Sequence, residues 1–162
     1  MKGYGGRTTF SNTVLALEFA SPKTRELWSR VTGTYQRKME FYNSKTVSPI
    51  ITQHPYKGYP VIRYNEPHDD EKHGHFINHP DLEFSGIGKN KLKEFHESLQ
   101  DALHSEQCFY AHEWETGDIV VSDNFTLLHG REAFTSRSPR HLRRIHVSSN
   151  PAFDNPGLES YK

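Results

Sequence analysis

The sequence predicts a mainly β fold with flanking helices, and the pattern of apolar residues leads to this expectation. Residues 47–52 and 59–64 are strand-like runs separated by the turn-forming segment H-P-Y-K-G at 54–58, which is typical of a β-hairpin. Residues 119–121 are a β-branched Ile-Val-Val run, which predicts a buried strand. Residues 142–147 form another strand-like run. The chain should therefore be built from several short strands.

Capping residues and apolar spacing predict three helices around these strands. Ser11 is a suitable N-cap for a short first helix. Ser21 and Pro22 combine an N-cap with proline at the first helical position, and we expect this second helix to end at Gly33. Residues 89–104 are predicted to form the longest helix, packed on the outside of the sheet structure. Its apolar stripe consists of Leu92, Phe95, Leu99 and Leu103.

Length and composition indicate one polar, loop-rich domain. A chain of 162 residues matches the usual size of a single domain, which we expect over residues 1–150. Residues 151–162 contain two prolines and a glycine, which is typical of a loose tail. Hydrophobic residues make up 33% of the chain, but the 12% of aromatic residues argues against disorder.

Charge and cysteine content exclude several classes of function. Lysine plus arginine and aspartate plus glutamate both number 20, and no basic block predicts nucleic-acid binding. Cys108 is the single cysteine, so an internal disulfide is excluded and a buried thiol in a reducing compartment is expected. No apolar run is long enough to span a membrane, and we expect a cytoplasmic protein.

One imidazole and one guanidinium mark the candidate site. His129 follows two leucines after the 119–121 run, and Arg140 comes eleven residues later. A hairpin in this region would place both side chains on one inner face of a sheet. A regular second strand would add Arg144 to that face by alternation. Imidazole commonly ligates iron or zinc, and a guanidinium binds a carboxylate through two parallel hydrogen bonds.

The residues around His129 resemble a known signature. The pattern W-x-x-G-D-I-V-V-x-D-N-x-x-x-L-H-G-R, followed by R-x-x-x-R, is similar to the C-terminal signature of the taurine dioxygenase family. Members are Fe(II)- and 2-oxoglutarate-dependent oxygenases on a double-stranded β-helix, or jelly roll. The resemblance implies that His129 is an iron ligand and that Arg140 holds the distal carboxylate of 2-oxoglutarate. It also implies that Arg144 lies near substrate or cosubstrate.

A second patch extends the resemblance towards the N-terminus. The segment G-G-R-T-T-F at residues 5–10 resembles the family's G-G-D-T-x-F, although Arg7 stands where an acid is common. The resemblance implies that Thr8 contacts 2-oxoglutarate. The implied activity is oxidation of a small-molecule substrate, with 2-oxoglutarate decarboxylated to succinate and CO2.

The family's other two iron ligands come from an H-x-D or H-x-E pair upstream of the Gly-Gly patch. The sequence begins four residues before Gly5, so we expect the C-terminal part of a longer oxygenase, with a jelly roll incomplete at its N-terminus. His68 and Asp70 reproduce the H-x-D spacing, but they lie after the predicted hairpin. With 11 histidines in the chain such a match arises easily by chance, so this pair is a weak candidate for replacement ligands.

Other interpretations remain open at the level of sequence. His129 and Thr8 are also compatible with ordinary structural roles, and Arg140 with a solvated basic strand edge. The chain as a whole is compatible with a catalytically inactive fragment, or with a binding-only, cupin-like jelly roll. Its partner would be a separate N-terminal segment or a second copy in a homo-oligomer. Residues 65–81 form a polar loop where we expect substrate contacts.

Overall fold

The computed structural model describes residues 6–37, 44–68, 79–133, 141–147 and 158–160. The strands in this part of the chain are β1 Thr8–Asn12, β2 Thr32–Gln36, β3 Ser44–Pro49, β4 Ile51–Gln53, β5 Pro60–Ile62, β6 Asp81–Ser85, β7 Phe109–His112, β8 Leu127–Arg131 and β9 Leu158–Ser160. The helices are α1 Thr13–Phe19, α2 Pro22–Ser29 and α3 Lys89–Leu103. The predicted mainly β architecture with flanking helices is confirmed.

The strands form three antiparallel sheets. A three-stranded sheet has the order β7-β1-β8, a four-stranded sheet has the order β6-β2-β3-β9, and β4 pairs with β5. The last pair is the hairpin predicted from the turn at 54–58. Strand β9 lies within the segment 151–162 predicted as a loose tail, whose other residues are outside the described ranges.

Helix α1 begins one residue later than predicted. The side chain of Asn12 accepts hydrogen bonds from the backbone N–H groups of Val14 and Leu15, so Asn12 is the N-cap. Ser11 is buried within β1 instead, because the sheet continues through this residue before the chain turns into the helix. The short polar side chains of serine and asparagine are comparable as caps, and the strand length decides between them.

Helix α2 begins as predicted and ends earlier. Ser21 caps it by accepting from the N–H of Thr24, and Pro22 is its first residue. The helix ends at Ser29, and Gly33 lies inside β2 rather than after the helix. A Cβ at Gly33 would lie 2.4 Å from the Tyr35 hydroxyl, so this glycine makes room for an aromatic ring within the strand.

The core lies where the three helices meet β5. Trp28, Phe95 and Leu99 are fully buried, and the predicted stripe of α3 faces inwards. The indole N–H of Trp28 donates to the Ser98 hydroxyl at 2.9 Å, which joins α2 to α3 and satisfies the one polar atom of that ring. Cys108 is also buried in the core, as predicted.

Two predicted strands are absent from the structure. Residues 119–121 and 141–147 adopt no regular secondary structure. Ile119 is 88% exposed and Val121 is 93% exposed, so the prediction of a buried strand was wrong. Alternating apolar residues become a strand only when a neighbouring strand accepts their backbone hydrogen bonds. Neither segment has such a neighbour among the described residues.

A buried histidine connects the hairpin to the segment that leads into β8. The ring of His54 accepts through Nδ1 from the N–H groups of Tyr56 and Lys57, so its Nε2 carries the proton and donates to Asp123 at 2.9 Å. Asp123 also accepts from the Phe125 N–H, which shapes the turn before β8. None of the helices in the described part of the chain is both long and apolar enough to cross a membrane.

Candidate active site

One face of the β7-β1-β8 sheet carries the residues that the sequence singled out. Phe10 lies opposite Tyr110 on one side and opposite His129 on the other, and directly opposed residues point to the same face. Thr8 lies two residues before Phe10, opposite His112 and Arg131, and therefore shares that face. We call this surface the site face. Its members are Thr8, Phe10, Tyr110, His112, His129 and Arg131.

The opposite face of the same sheet packs on the core. Ser11 is buried, and its partner Leu128 contacts the core cluster. The rings of Phe109 and His104 stack at 5.3 Å on this side. A Cβ at Gly130 would lie 3.0 Å from the Thr9 hydroxyl, so a larger residue after His129 would press on β1. Core packing thus fixes the sheet that displays the site face.

His129 is exposed at the middle of β8 on the site face. Its pKa is lowered from the ordinary value of 6.5, first by desolvation and then by the positive charges of Arg144 and His146. A lowered pKa favours the neutral imidazole at physiological pH, and neutral imidazole is the form that ligates metals. Arg144, which the resemblance implies is near substrate or cosubstrate, is thus one of the charges that act on His129.

The Thr8 hydroxyl has a fixed hydrogen-bonding direction. It accepts a hydrogen bond from the Trp114 indole N–H at 2.8 Å. Indole N–H is a donor only, so the hydroxyl proton of Thr8 remains available for a second acceptor. A carboxylate is the acceptor that binds such a donor most strongly. Trp114 and Thr8 belong to the two different family-like patches, and this bond joins those patches in the fold.

Two of the candidate residues fall outside the described ranges. Arg140 and Asp70 are both in that group, so their assignments remain predictions. His68 is described, and its ring lies 5.7 Å from the ring of His79. In the described ranges, no three His, Cys, Asp or Glu side chains are grouped closely enough to hold a metal ion. The described residues alone therefore do not form the complete two-histidine, one-carboxylate site that the iron of such oxygenases uses.

Sequence reasoning missed a group of polar residues on and beside the site face. Tyr110, His112 and Trp114 alternate along the chain. The structure places them around Thr8, where the rings of His112 and Trp114 meet edge to face at 4.6 Å. The i, i+2, i+4 spacing of these residues indicates that they share one face of a strand, but it does not show whether that face is open or packed.

The site face presents an imidazole, a hydroxyl donor and nearby cationic groups on a rigid antiparallel sheet. This arrangement suits the binding of an anionic small molecule. The comparison with known families agrees: residues 2–146 match the model of the taurine catabolism dioxygenase TauD, TfdA family. The chain belongs to that family.

The chain is also similar to individual proteins and solved structures. The chain is 45% identical over 155 residues to a tyrosine isonitrile desaturase of Pseudomonas aeruginosa, covering 96% of this chain and 53% of the relative. It is 34% identical over 146 residues to a 3-((Z)-2-isocyanoethenyl)-1H-indole synthase of Fischerella ambigua, covering 90% of this chain and 53% of that protein.

A solved structure of PvcB, described as an Fe, alpha-ketoglutarate dependent oxygenase from an isonitrile synthetic pathway, matches with a TM-score of 0.80 and 42% identity. The match covers 98% of this chain and 52% of that chain. The fold is therefore that of the TauD-type jelly-roll oxygenases, as the resemblance predicted. The chain spans about half the length of the relatives it matches.

Proposed function

We propose that this chain forms the cosubstrate-binding part of an Fe(II)- and 2-oxoglutarate-dependent oxygenase that desaturates an aromatic isonitrile. The observation that carries the proposal is the placement of Thr8 and His129 on one open sheet face, with Arg144 close by. The 45% identity to a tyrosine isonitrile desaturase supports the substrate class. We expect residues 1–150 to act as one domain.

His129 is proposed as one of the ligands of the iron. Its exposed position and lowered pKa both keep a neutral nitrogen available to a metal. We infer that the other two ligands belong to protein outside the described residues. His68 and Asp70 remain a weak alternative for that pair, resting on their spacing alone.

Thr8, Arg140 and Arg144 are proposed to bind 2-oxoglutarate. The Thr8 hydroxyl, held by Trp114, donates to a carboxylate oxygen. Arg140 is assigned to the distal carboxylate by its spacing from His129 and by family resemblance. Arginine suits this position because its planar fork binds both carboxylate oxygens and stays charged when desolvated. Arg144 contributes a second cationic group near the imidazole.

The test compares His129 on the site face with His104, which follows α3 and stacks on Phe109 at the opposite face of the same sheet. Purified protein is incubated with Fe(II), ascorbate, oxygen, 2-oxoglutarate and the isonitrile of tyrosine, and succinate is measured. We expect His129→Ala to reduce release by more than the about 10–100-fold that loss of a hydrogen-bond partner of a metal ligand costs, and His104→Ala to leave it near wild type. Broadening of the His129 NMR signals by added Mn(II) would report metal binding without turnover.

Equal succinate release by His129→Ala and wild type would overturn the ligand assignment. If neither wild type nor the variants release succinate, and Mn(II) does not broaden the His129 signals, the chain by itself is not an oxygenase. The second candidate function is then favoured, namely a jelly roll that binds small molecules without iron. The lack of a three-ligand group within the described ranges is the observation that keeps this candidate. Binding of 2-oxoglutarate in the presence of EDTA would support it.

A further inference from the structure

Three side chains form a hydrogen-bonded chain that reaches the site face. The Tyr110 hydroxyl lies 3.1 Å from Nδ1 of His112, and Nε2 of His112 lies 3.0 Å from Oδ2 of Asp118. The exposed end of this chain is Tyr110, which is 59% exposed, whereas the His112 side chain is only 17% exposed. The hydrogen bonds therefore link an exposed carboxylate to a phenol in solvent through a largely shielded imidazole.

A tight turn fixes the carboxylate end. The Asp118 N–H donates to the carbonyl oxygen of Glu115 at 3.2 Å, which closes a four-residue turn. Gly117 occupies the third position with φ +99°, a conformation that other residues adopt only with strain. The same Oδ2 of Asp118 accepts from the Glu115 N–H at 2.9 Å. The carboxylate is thus held by the backbone as well as by His112.

The direction of each hydrogen bond follows from this geometry. An ionised carboxylate only accepts, so Nε2 of His112 must donate to Asp118. In the neutral imidazole Nδ1 is then the acceptor, and Tyr110 donates its proton to it. The lone pairs of the Tyr110 oxygen remain available to accept a hydrogen bond from a bound molecule. The imidazole of His112 thereby takes up the hydroxyl proton of Tyr110 in a hydrogen bond and leaves the phenol oxygen as an acceptor.

The position of Tyr110 connects this acceptor to the candidate site. Tyr110 and His129 flank Phe10 in one row across the sheet. Two strand spacings separate them, about 10 Å between Cα atoms. A molecule the size of one aromatic amino acid spans such a distance, with one end at His129 and the other at Tyr110.

We infer that Tyr110, held by His112 and Asp118, accepts a hydrogen bond from the ring donor of the substrate. This inference rests on the proposed function and makes it more specific. The names of the two relatives describe compounds that share a feature: tyrosine carries a phenol O–H, and a 1H-indole carries a ring N–H. Both groups present a hydrogen to an acceptor at the far end of the ring. Tyr110 is the specificity-determining contact, and His112 and Asp118 are positioning residues.

The first experiment needs no ligand. Nitrogen-15 correlation spectra of the side-chain imidazoles distinguish a protonated from an unprotonated ring nitrogen. In the neutral ring of His112 we expect the proton on Nε2, and we expect Tyr110→Phe to shift the Nδ1 resonance because Nδ1 loses its hydrogen-bond donor. A proton on Nδ1 of neutral His112, or an unmoved Nδ1 resonance in Tyr110→Phe, would overturn the inference.

The second experiment uses two probes that differ by one hydroxyl, 3-(4-hydroxyphenyl)propionate and 3-phenylpropionate. We expect wild type to bind the phenol about 3–10-fold more tightly, the effect of one net hydrogen bond. Tyr110→Phe should remove the preference, and Asp118→Ala should reduce it. Tyr56→Phe is the control, because Tyr56 is similarly exposed but lies on the β4–β5 turn.

The outcomes separate the two proposals. Equal binding of both probes to wild type, or a preference kept by Tyr110→Phe, contradicts the role of Tyr110 and leaves the oxygenase proposal standing. If wild type binds neither probe, that result contradicts the aromatic substrate class and the inference with it. A preference lost in Tyr110→Phe and kept in Tyr56→Phe supports both.

Discussion

The helical core and the site side of the molecule carry similar apolar residues in opposite environments. Trp28 and Leu99 in the core are 0% exposed, whereas Val121 is 93% and Ile145 is 86% exposed. Leu99 and Val121 both belong to segments whose pattern predicted burial. The difference is that α2 and α3 pack on each other and on the sheet, while residues 119–121 and 141–147 have no strand beside them in the described part of the chain.

This contrast shows what an apolar pattern encodes. The periodicity of apolar residues predicts which side chains of a segment share one face. That face is buried only when another helix or strand packs against it. In the core both elements are present, and the prediction for α3 is correct to within one residue. On the site side the same reasoning was wrong for 119–121, although the residues are strong strand formers.

The largest predicted effect sharpens this comparison. Leu99→Ala should lower the free energy of unfolding by about 2–5 kcal/mol, because it leaves a cavity among fully buried neighbours. Val121→Ala removes a similar apolar group from an exposed position and should change stability by less than about 0.5 kcal/mol. Urea unfolding followed by circular dichroism measures both. A large loss in Val121→Ala would show that this segment is buried in solution.

An intermediate effect distinguishes two glycines with positive φ. A Cβ at Gly86 would lie 2.0 Å from the carbonyl oxygen of Arg30, at the end of α2. A Cβ at Gly58 would meet nothing within 4 Å. Alanine at either position costs about 1–2 kcal/mol for the left-handed backbone conformation, and Gly86→Ala should cost about 1–3 kcal/mol more for the collision. Thermal unfolding of the two variants measures this difference, and equal losses would contradict the close approach to α2.

The smallest predicted effect concerns the hydrogen bond between His54 and Asp123, which joins the β4–β5 hairpin to the segment before β8. Burial raises the pKa of Asp123, but hydrogen bonds from Thr126, Phe125 and His54 outweigh it and lower the pKa below the ordinary 3.8. A lowered pKa means that the charged form stabilises the fold above about pH 3.8 and that this stability is lost as pH falls through the folded-state value.

Asp123→Asn should therefore reduce stability at pH 7 by less than about 1 kcal/mol, since solvent screens a side chain that is 43% exposed. The difference from wild type should shrink as the pH is lowered from 5 to 3. Asp101→Asn, on the exposed surface of α3, serves as the control. A difference that stays constant over this range would exclude the charge of Asp123 as its cause.

Local signals predicted the parts of the fold that depend on neighbours in sequence. Ser21 with Pro22 marked the start of α2, and the apolar stripe marked α3. The cap of α1 was misplaced by one residue because the length of β1 depends on strands more than 90 residues away in the chain.

The same limit applies to the candidate site. The signature around His129 identified the family, and the matching family model supports that part of the prediction. The polar chain of Tyr110, His112 and Asp118 was not found, because alternation alone does not show which face of β7 is open. Pairing of β7 with β1 decides that question, and it is a property of the whole fold.

The position of β1 between β7 and β8 also bears on how the chain folds. The bond between Thr8 and Trp114 closes a loop of 106 residues, and the pair Arg7–Glu132 closes one of 125. Contacts of such high sequence separation form late and slow the folding of small domains. During synthesis β1 leaves the ribosome long before either of its neighbours exists. The site face is therefore expected to assemble last, on a helical core that has already formed.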